Sequence, residues 1–279
     1  MDSTGRRPKR SLGQNFLVDP NLQRKIVAEG HFEPGDEVLE IGPGEGALTD
    51  HLANLDVRLI LVELDDALAR RWSARFEGDP RVRVVHDDIL QIAPERLSDR
   101  PRELRVIGNI PYNITAPILF TLLSRPRPRD ILVMVQREVA DRILADPGTR
   151  AYGALAVGVR SVARVERVLE VSRNAFRPRP RVDSTVVRIT PIHPEPLTLE
   201  EEEELRILVR STFQWRRKQL QKILRDHPDL QVAREAQDTL FRELGLSGTA
   251  RPESLSPDQF IEMSRVLSSL RGSGADPSR

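Results

Sequence analysis

Apolar residues in the first half of the chain gather in short runs rich in Val, Ile and Leu, at residues 37–41, 58–62, 82–85, 104–107 and 131–135. Runs of this length, bounded by turn residues, fit strands buried on both faces. Between them, residues 20–29, 47–55, 66–76, 117–123 and 137–144 space their apolar side chains as amphipathic helices do, and residues 94–98 suggest one helical turn. Asp19-Pro20 opens the first of these helices, with proline at the first helical position. Strand, turn and helix repeated in this way predict an α/β fold built on a doubly wound parallel sheet.

The pattern changes after residue 150. Ala151-Tyr152-Gly153 leads into an apolar stretch at 154–159, and residues 165–171 and 184–189 read as two strands, expected to pair antiparallel. A proline-rich linker follows at 191–197. From 198 onward the spacing is helical. Thr198 precedes the acids 200–204, which suits a helix start. Leu205, Leu208, Val209 and Thr212 then make an apolar stripe that runs through 213–218 to Leu220, Ile223 and Leu224, with further helices at 232–244 and 256–270. The expected division is a sheet domain at 1–190 with a mobile basic arm at 1–11, the linker, a helical RNA-binding domain at 198–271, and a disordered tail at 272–279.

The carboxyl ends of the predicted strands carry the chemistry, as expected where α/β sheets place their ligands. Gly42-Pro43-Gly44-Glu45-Gly46 follows the first strand. Gly42 and Gly44 allow close approach of backbone to a ligand, but the spacing is not that of a dinucleotide-binding turn. Glu40 beside the turn disfavours a pyrophosphate and favours a cationic ligand part. Glu63 ends the second strand, where an acid binds the ribose hydroxyls of an adenosine-containing cofactor; capping the next helix is the alternative. Asp88 follows the third strand and can accept from an adenine amino group. After the fourth, the chain is expected to break at Gly108 and present Asn109-Ile110-Pro111-Tyr112. These residues offer an amide oxygen, a carbonyl-rich bend and a flat ring, a set suited to a planar base with an amino group. A plain turn with a packed tyrosine is the alternative.

Composition narrows the options. There is no cysteine, which excludes disulfides and thiolate metal sites, and the five histidines show no ligand spacing. Metal catalysis is therefore not expected. No run approaches the ~18 apolar residues a membrane span needs, and no apolar segment follows the basic N-terminus, so a cytoplasmic protein is expected. The net charge of +1 hides basic clusters at 6–10, 173–181 and 216–225. Phe176 stands beside Arg177, Arg179 and Arg181, which alternate with prolines. Arg216, Arg217 and Lys218 follow Trp215. A ring beside stiffly held arginines suits a base and its phosphates, and solvated surface is the alternative reading of each cluster.

Taken in order, Leu12-Gly-Gln-Asn-Phe-Leu17, Glu40-Ile-Gly-Pro-Gly-Glu-Gly-Ala-Leu-Thr49, Asn109-Ile-Pro-Tyr112, Phe176-x-Pro-x-Pro-x-Val-Asp-Ser184 and Phe213-x-x-Arg-Arg-Lys218 resemble the ribosomal RNA adenine dimethyltransferases, most of all the bacterial small-subunit enzymes. The resemblance runs from about residue 10 to about residue 270. It implies a Rossmann-like seven-stranded methyltransferase sheet with a helical C-terminal domain, and S-adenosylmethionine as cofactor. It also implies dimethylation at N6 of two adjacent adenosines in a loop near the 3′ end of small-subunit (16S) rRNA. By motif match Asn15, Leu17, Gly42, Glu63, Asp88 and Asn109 are the expected cofactor contacts. Asn109 and Ile110 would accept the substrate N–H bonds, with Tyr112 and Phe176 holding the flipped base. The expected partner is the immature small subunit, bound by a monomer. A large-subunit rRNA adenine methyltransferase, a non-catalytic assembly factor and a nicotinamide-dependent oxidoreductase are the rivals. The glycine spacing speaks against the last.

Overall fold

The computed structural model describes residues 15–273. The expected basic arm at 1–11, residues 12–14 of the first motif and 274–279 of the expected tail lie outside the described residues. A two-residue strand β1 (Phe16–Leu17) leads into α1 (Pro20–Glu29), β2 (Glu37–Ile41), α2 (Thr49–Leu52), β3 (Arg58–Glu63), α3 (Asp66–Arg75), β4 (Val82–His86), α4 (Pro94–Leu97), β5 (Arg105–Asn109), α5 (Thr115–Leu122), β6 (Asp130–Gln136) and α6 (Arg137–Leu144). Then come α7 (Ala154–Arg160), β7 (Ala163–Val171), β8 (Phe176–Arg177), β9 (Ser184–Pro191), α8 (Leu199–Gln214), α9 (Leu220–Asp226), α10 (Arg234–Glu243) and α11 (Pro257–Ser273). The last helix takes the first two residues of the expected tail.

Seven strands form one sheet in the order β4-β3-β2-β5-β6-β9-β7. Strands β4 to β6 in that row are parallel, and β9 runs antiparallel to β6. Val38, Leu39, Ile41, Val106 and Ile107 are all buried, as expected of central strands covered on both faces. Each such side chain stabilises the fold by roughly 1.5–3 kcal/mol relative to exposure. The order places a topological switch between β2 and β5, because β3 and β4 lie on one side of β2 while β5 and β6 lie on the other. A crevice at the carboxyl ends of the strands follows from that arrangement.

Strand β5 does not stop at Gly108. It runs on to Asn109, which pairs with Met134 of β6, while Gly108 lies opposite Ile41 in the ladder with β2. A Cβ there would sit 2.9 Å from the Ile41 carbonyl oxygen, so only glycine lets the two strands approach this closely. The helix expected at 47–55 shortens to α2, since the glycine turn occupies its start.

The chain divides into two compact units, residues up to Ala140 with Val165–Pro191, and Asp141–Arg164 with the chain from Ile192 on. This differs from the expected boundary at 190, because 141–164 joins the C-terminal helices. Within that unit the Tyr152 ring is fully buried, its hydroxyl donates to the Leu255 carbonyl (2.6 Å), and the Gly148 N–H donates to the Glu253 carbonyl (2.6 Å). A capping box on Thr198 and Glu201 starts α8. Among the described residues no helix is long and apolar enough to cross a membrane, and no group of three or more His, Asp or Glu is placed to hold a metal.

Candidate active site

A cavity of about 530 Å³ opens at the carboxyl ends of β2, β3, β4 and β5. Gly42, Glu63, Asp88 and Asn109 all line it, as do Asn15, Leu17, Gly44, Ile110, Pro111 and Tyr112. The strand order sets them in the spatial row Asp88, Glu63, Gly42, Asn109. Gly42 has φ +64, and a Cβ added there meets nothing within 4 Å. The main chain at this turn therefore borders open space, and a ligand can lie directly against it.

The two acids at the first strand ends differ. The Glu63 carboxylate accepts the Gly44 N–H (3.0 Å) on one oxygen and the Asp65 N–H (2.9 Å) on the other. It thus braces the glycine turn, and each oxygen keeps a lone pair for a ligand hydroxyl. Burial pushes its carboxyl up, against those amide bonds. Glu40 is buried more deeply, with one oxygen accepting from the Thr49 hydroxyl (2.7 Å). Burial raises its carboxyl to about 8, and the neighbouring charges of Asp50 and Glu63 add to the rise against the Thr49 bond. The unfolded group titrates near 4.5. Its contribution to stability is therefore fully present below that value and is lost as pH rises toward 8. Glu40→Gln is expected to abolish that loss in the ligand-free protein. A thermal melt should show the variant ahead of the parent at pH 8 and level with it near pH 4.5, by roughly 2–4 °C per kcal/mol of relieved desolvation.

Asp88 caps the turn after β4, with one oxygen accepting the Leu90 N–H (3.0 Å). Asn109 ends β5. Its side-chain amide nitrogen donates to the Asn15 carbonyl (2.9 Å). A carbonyl can only accept, so this contact fixes which end of the amide is the nitrogen and leaves the Asn109 oxygen as an acceptor. In the turn that follows, the Pro111 carbonyl takes the Ile114 N–H (3.3 Å) and the Thr115 hydroxyl (3.2 Å), which also lies 3.4 Å from the Tyr112 carbonyl. The turn's own bonds thus use the Pro111 and Tyr112 carbonyls and not that of Ile110. The Tyr112 hydroxyl is bonded to Ser184 Oγ at 2.6 Å.

Phe176 is not at the cavity. Its ring is fully buried in the core with Leu17, Val171, Ala175 and Val186. The cause is the pairing of β8 with β1, where Phe176 opposes Leu17 and the Val18 N–H donates to the Ala175 carbonyl (2.8 Å). Alternation along β8 then turns Phe176 inward and Arg177 outward. The ring that does reach the cavity from this small sheet is Phe16, which packs on Gly44. Trp72 also braces this turn, its indole N–H donating to the Gly44 carbonyl (3.1 Å). Nothing in the helical spacing of α3 distinguishes it from a core residue.

The basic clusters separate into tethered and free groups. Arg177 folds back onto the Phe176 carbonyl (2.8 Å), whereas Arg179 and Arg181 are exposed and their guanidinium groups bond to nothing among the described residues. Arg216 is half-buried and bonds the Arg150 and Thr149 carbonyls and Glu253, so its guanidinium holds the helical unit together. Arg217 and Lys218 are exposed. The run lies in the turn between α8 and α9, not on a basic helix, and Trp215 packs against the His227 ring with centroids 5.0 Å apart.

The sequence profile of the ribosomal RNA adenine dimethylase family matches residues 5–268. The chain belongs to that family. It is 43% identical over 264 residues to a protein of Nitratidesulfovibrio vulgaris (strain DP4) named ribosomal RNA small subunit methyltransferase A, covering 94% of this chain and 97% of the relative. It is 37% identical to a protein of the same name from Geobacter metallireducens, over 98% of this chain and all of the relative. Among solved structures it is similar to a dimethyladenosine transferase from Plasmodium falciparum, with a TM-score of 0.78, 27% identity and coverage of 93% and 98% of the two chains. The 23S rRNA methyltransferase ErmE gives a TM-score of 0.68 at 28% identity, over 91% and 99%. The chain is an S-adenosylmethionine-dependent methyltransferase. Its cavity fits that cofactor, because it combines open main chain at Gly42, carboxylates with spare lone pairs at Glu63 and Asp88, and a buried acid at Glu40 that suits a cationic group.

Proposed function

We propose that this chain transfers methyl groups to the N6 amino groups of two adjacent adenosines in the 3′-terminal hairpin loop of small-subunit (16S) rRNA, during small-subunit biogenesis. The observation that carries the reading is the amide of Asn109, a cavity-lining residue whose nitrogen is taken by the Asn15 carbonyl and whose oxygen is left as an acceptor. The names of the relatives support the small subunit as substrate.

In this reading Asn15, Leu17, Gly42, Gly44, Glu63 and Asp88 hold the cofactor, which supplies an electrophilic methyl group on a sulfonium. The chain's task is to make a poor nucleophile reactive. The lone pair of an adenine amino nitrogen is delocalised into its ring. The Asn109 oxygen and the Ile110 carbonyl accept the two N–H bonds, favour a pyramidal nitrogen and aim its lone pair. Pro111, with no N–H of its own, keeps that corner free of a competing donor. Tyr112 stacks on the extruded base. Rate comes from position and electrostatics, with no strong base needed at the start. Arg179, Arg181, Arg217 and Lys218 meet phosphates. The protein works as a monomer on the immature subunit in the cytoplasm.

The test is incorporation of labelled methyl from S-adenosylmethionine into undermethylated small subunits, followed by mapping of the modified bases. Label on two adjacent adenosines of the 3′ hairpin is expected. Label in large-subunit RNA, or binding without incorporation, overturns the proposal.

A further inference from the structure

The Ser184 hydroxyl lies 2.6 Å from the hydroxyl of Tyr112, although the two residues are 72 positions apart in the chain. Ser184 is fully buried. It begins β9 and lies opposite Gln136 in the ladder with β6, so its position is set by the central sheet. Tyr112 stands in the turn after β5, on a stretch with no ladder of its own. Its ring is therefore anchored at two ends, by the backbone of the turn and, through the phenol oxygen, by the sheet. The residue before Ser184 is also engaged. Asp183 accepts the Arg173 N–H (2.9 Å) on its side chain and the Arg137 N–H (3.0 Å) on its carbonyl. The Asp183-Ser184 pair thus ties the base of the Arg-Pro loop to the tyrosine of the adenine-binding turn.

We infer that Ser184 is a positioning residue for methyl transfer, which holds the Tyr112 ring in the orientation that receives the substrate base. The inference rests on the proposed adenine site. A stacking ring free to turn about its side-chain torsions must be ordered each time a base enters, and a second anchor removes that cost before binding. The hydroxyl-to-hydroxyl bond supplies the anchor without a charge and without using the face of the ring. It also gives the terminal serine of the Phe176-to-Ser184 motif a specific task. A buried serine that merely satisfied its own hydroxyl through nearby backbone would leave Tyr112 unaffected.

A double-mutant cycle tests this on the full chain, with methyl incorporation into undermethylated small subunits as the rate. Ser184→Ala and Tyr112→Phe each remove the same bond, so each should lower kcat about tenfold. The affinity for S-adenosylhomocysteine, measured by calorimetry, should stay unchanged in Ser184→Ala. The double variant should be no slower than the slower single one. A spectroscopic readout needs no substrate. The chain has two tyrosines, so ¹³C labelling of the phenol carbon gives two signals. Ser184→Ala should move the Tyr112 signal and leave that of Tyr152, which is bonded to Leu255. Effects that multiply in the cycle, or a Tyr112 signal that stays in place, overturn the inference. Should Ser184→Ala fail to fold, full kcat in Tyr112→Phe overturns it from the other side. A wild-type chain that does not methylate the small subunit defeats the proposed function instead, and the labelled-tyrosine comparison then still decides whether Ser184 anchors the Tyr112 ring.

Discussion

Replacing Asn109 with alanine is expected to lower methyl transfer by about two to three orders of magnitude, the usual loss when one preorganised polar group at a reacting centre is removed. The variant should fold and bind RNA as the parent does. The Asn109 side chain is only half-buried, and the basic surface does not depend on it. The loss has two parts that act together. The substrate amino group loses its side-chain acceptor, and the Asn15 carbonyl loses the donor that ties the segment ahead of α1 to the end of β5. Single-turnover methylation of undermethylated subunits reads the first, and the S-adenosylhomocysteine affinity reads the second. Near-parental rates in the alanine variant would remove Asn109 from the chemistry.

The second large effect lies at the other end of the same strand. Arg105 opens β5, four residues before Asn109, and its guanidinium is buried. Its Nε and one terminal nitrogen grip Asp130 at 3.0 and 2.5 Å. The other nitrogen bonds Asp36 at 2.9 Å. The His31 and Gly30 carbonyls accept at 2.8 and 2.7 Å, and the Phe32 ring covers the cation at 4.9 Å. Such a fully bonded cation is costly to remove, because two carboxylates lose their shortest cationic partner and two carbonyls lose a donor. Arg105→Ala is expected to destabilise the sheet unit by about 3–5 kcal/mol, read by denaturant unfolding. The pH dependence carries a further sign. Burial pushes the Asp36 carboxyl up, but the Glu33 N–H, the bond and charge of Arg105 and the charge of Arg129 outweigh it, and the carboxyl ends below its usual range. Its contribution is present above the unfolded pKa and is lost as pH falls through the lowered value. Without Arg105 that acid-dependent portion should shrink. An unchanged acid transition would show that the Glu33 amide and the Arg129 charge hold Asp36 down without Arg105.

Much of the α/β frame was legible because period and length report burial directly. Short Val- and Ile-rich runs between amphipathic stretches have few other solutions, and α1, β2, α6 and β6 fall where that pattern puts them. Other bounds were not legible. Gly108 reads as a chain break by composition, yet its role is set by the Ile41 carbonyl on a strand 67 residues earlier. Phe176 beside three arginines reads as a base-stacking ring, yet its pairing with Leu17 buries it. Arg216 reads as one of a row of phosphate ligands, yet the carbonyls of Thr149 and Arg150 claim it. In each case local composition is ambiguous and a distant partner decides.

The sequence by itself determined the strand-turn-helix repeat, the ordered motifs that mark the dimethylase family, and the presence of Gly42, Glu63, Asp88 and Asn109 at successive strand ends. The repeat and the strand ends follow from nearest-neighbour sterics and from the period of burial, which are local properties of a chain, and the motifs mark the family by resemblance. Only the tertiary structure decided the row in which those residues stand, since strand order is a long-range choice. The orientation of the Asn109 amide, the bracing of the glycine turn by Glu63 and Trp72, the link from Ser184 to Tyr112 and the inward turn of Phe176 belong to the same class. Each is a hydrogen bond or contact between residues at least 19 positions apart, and such bonds have no signature in the spacing of either partner.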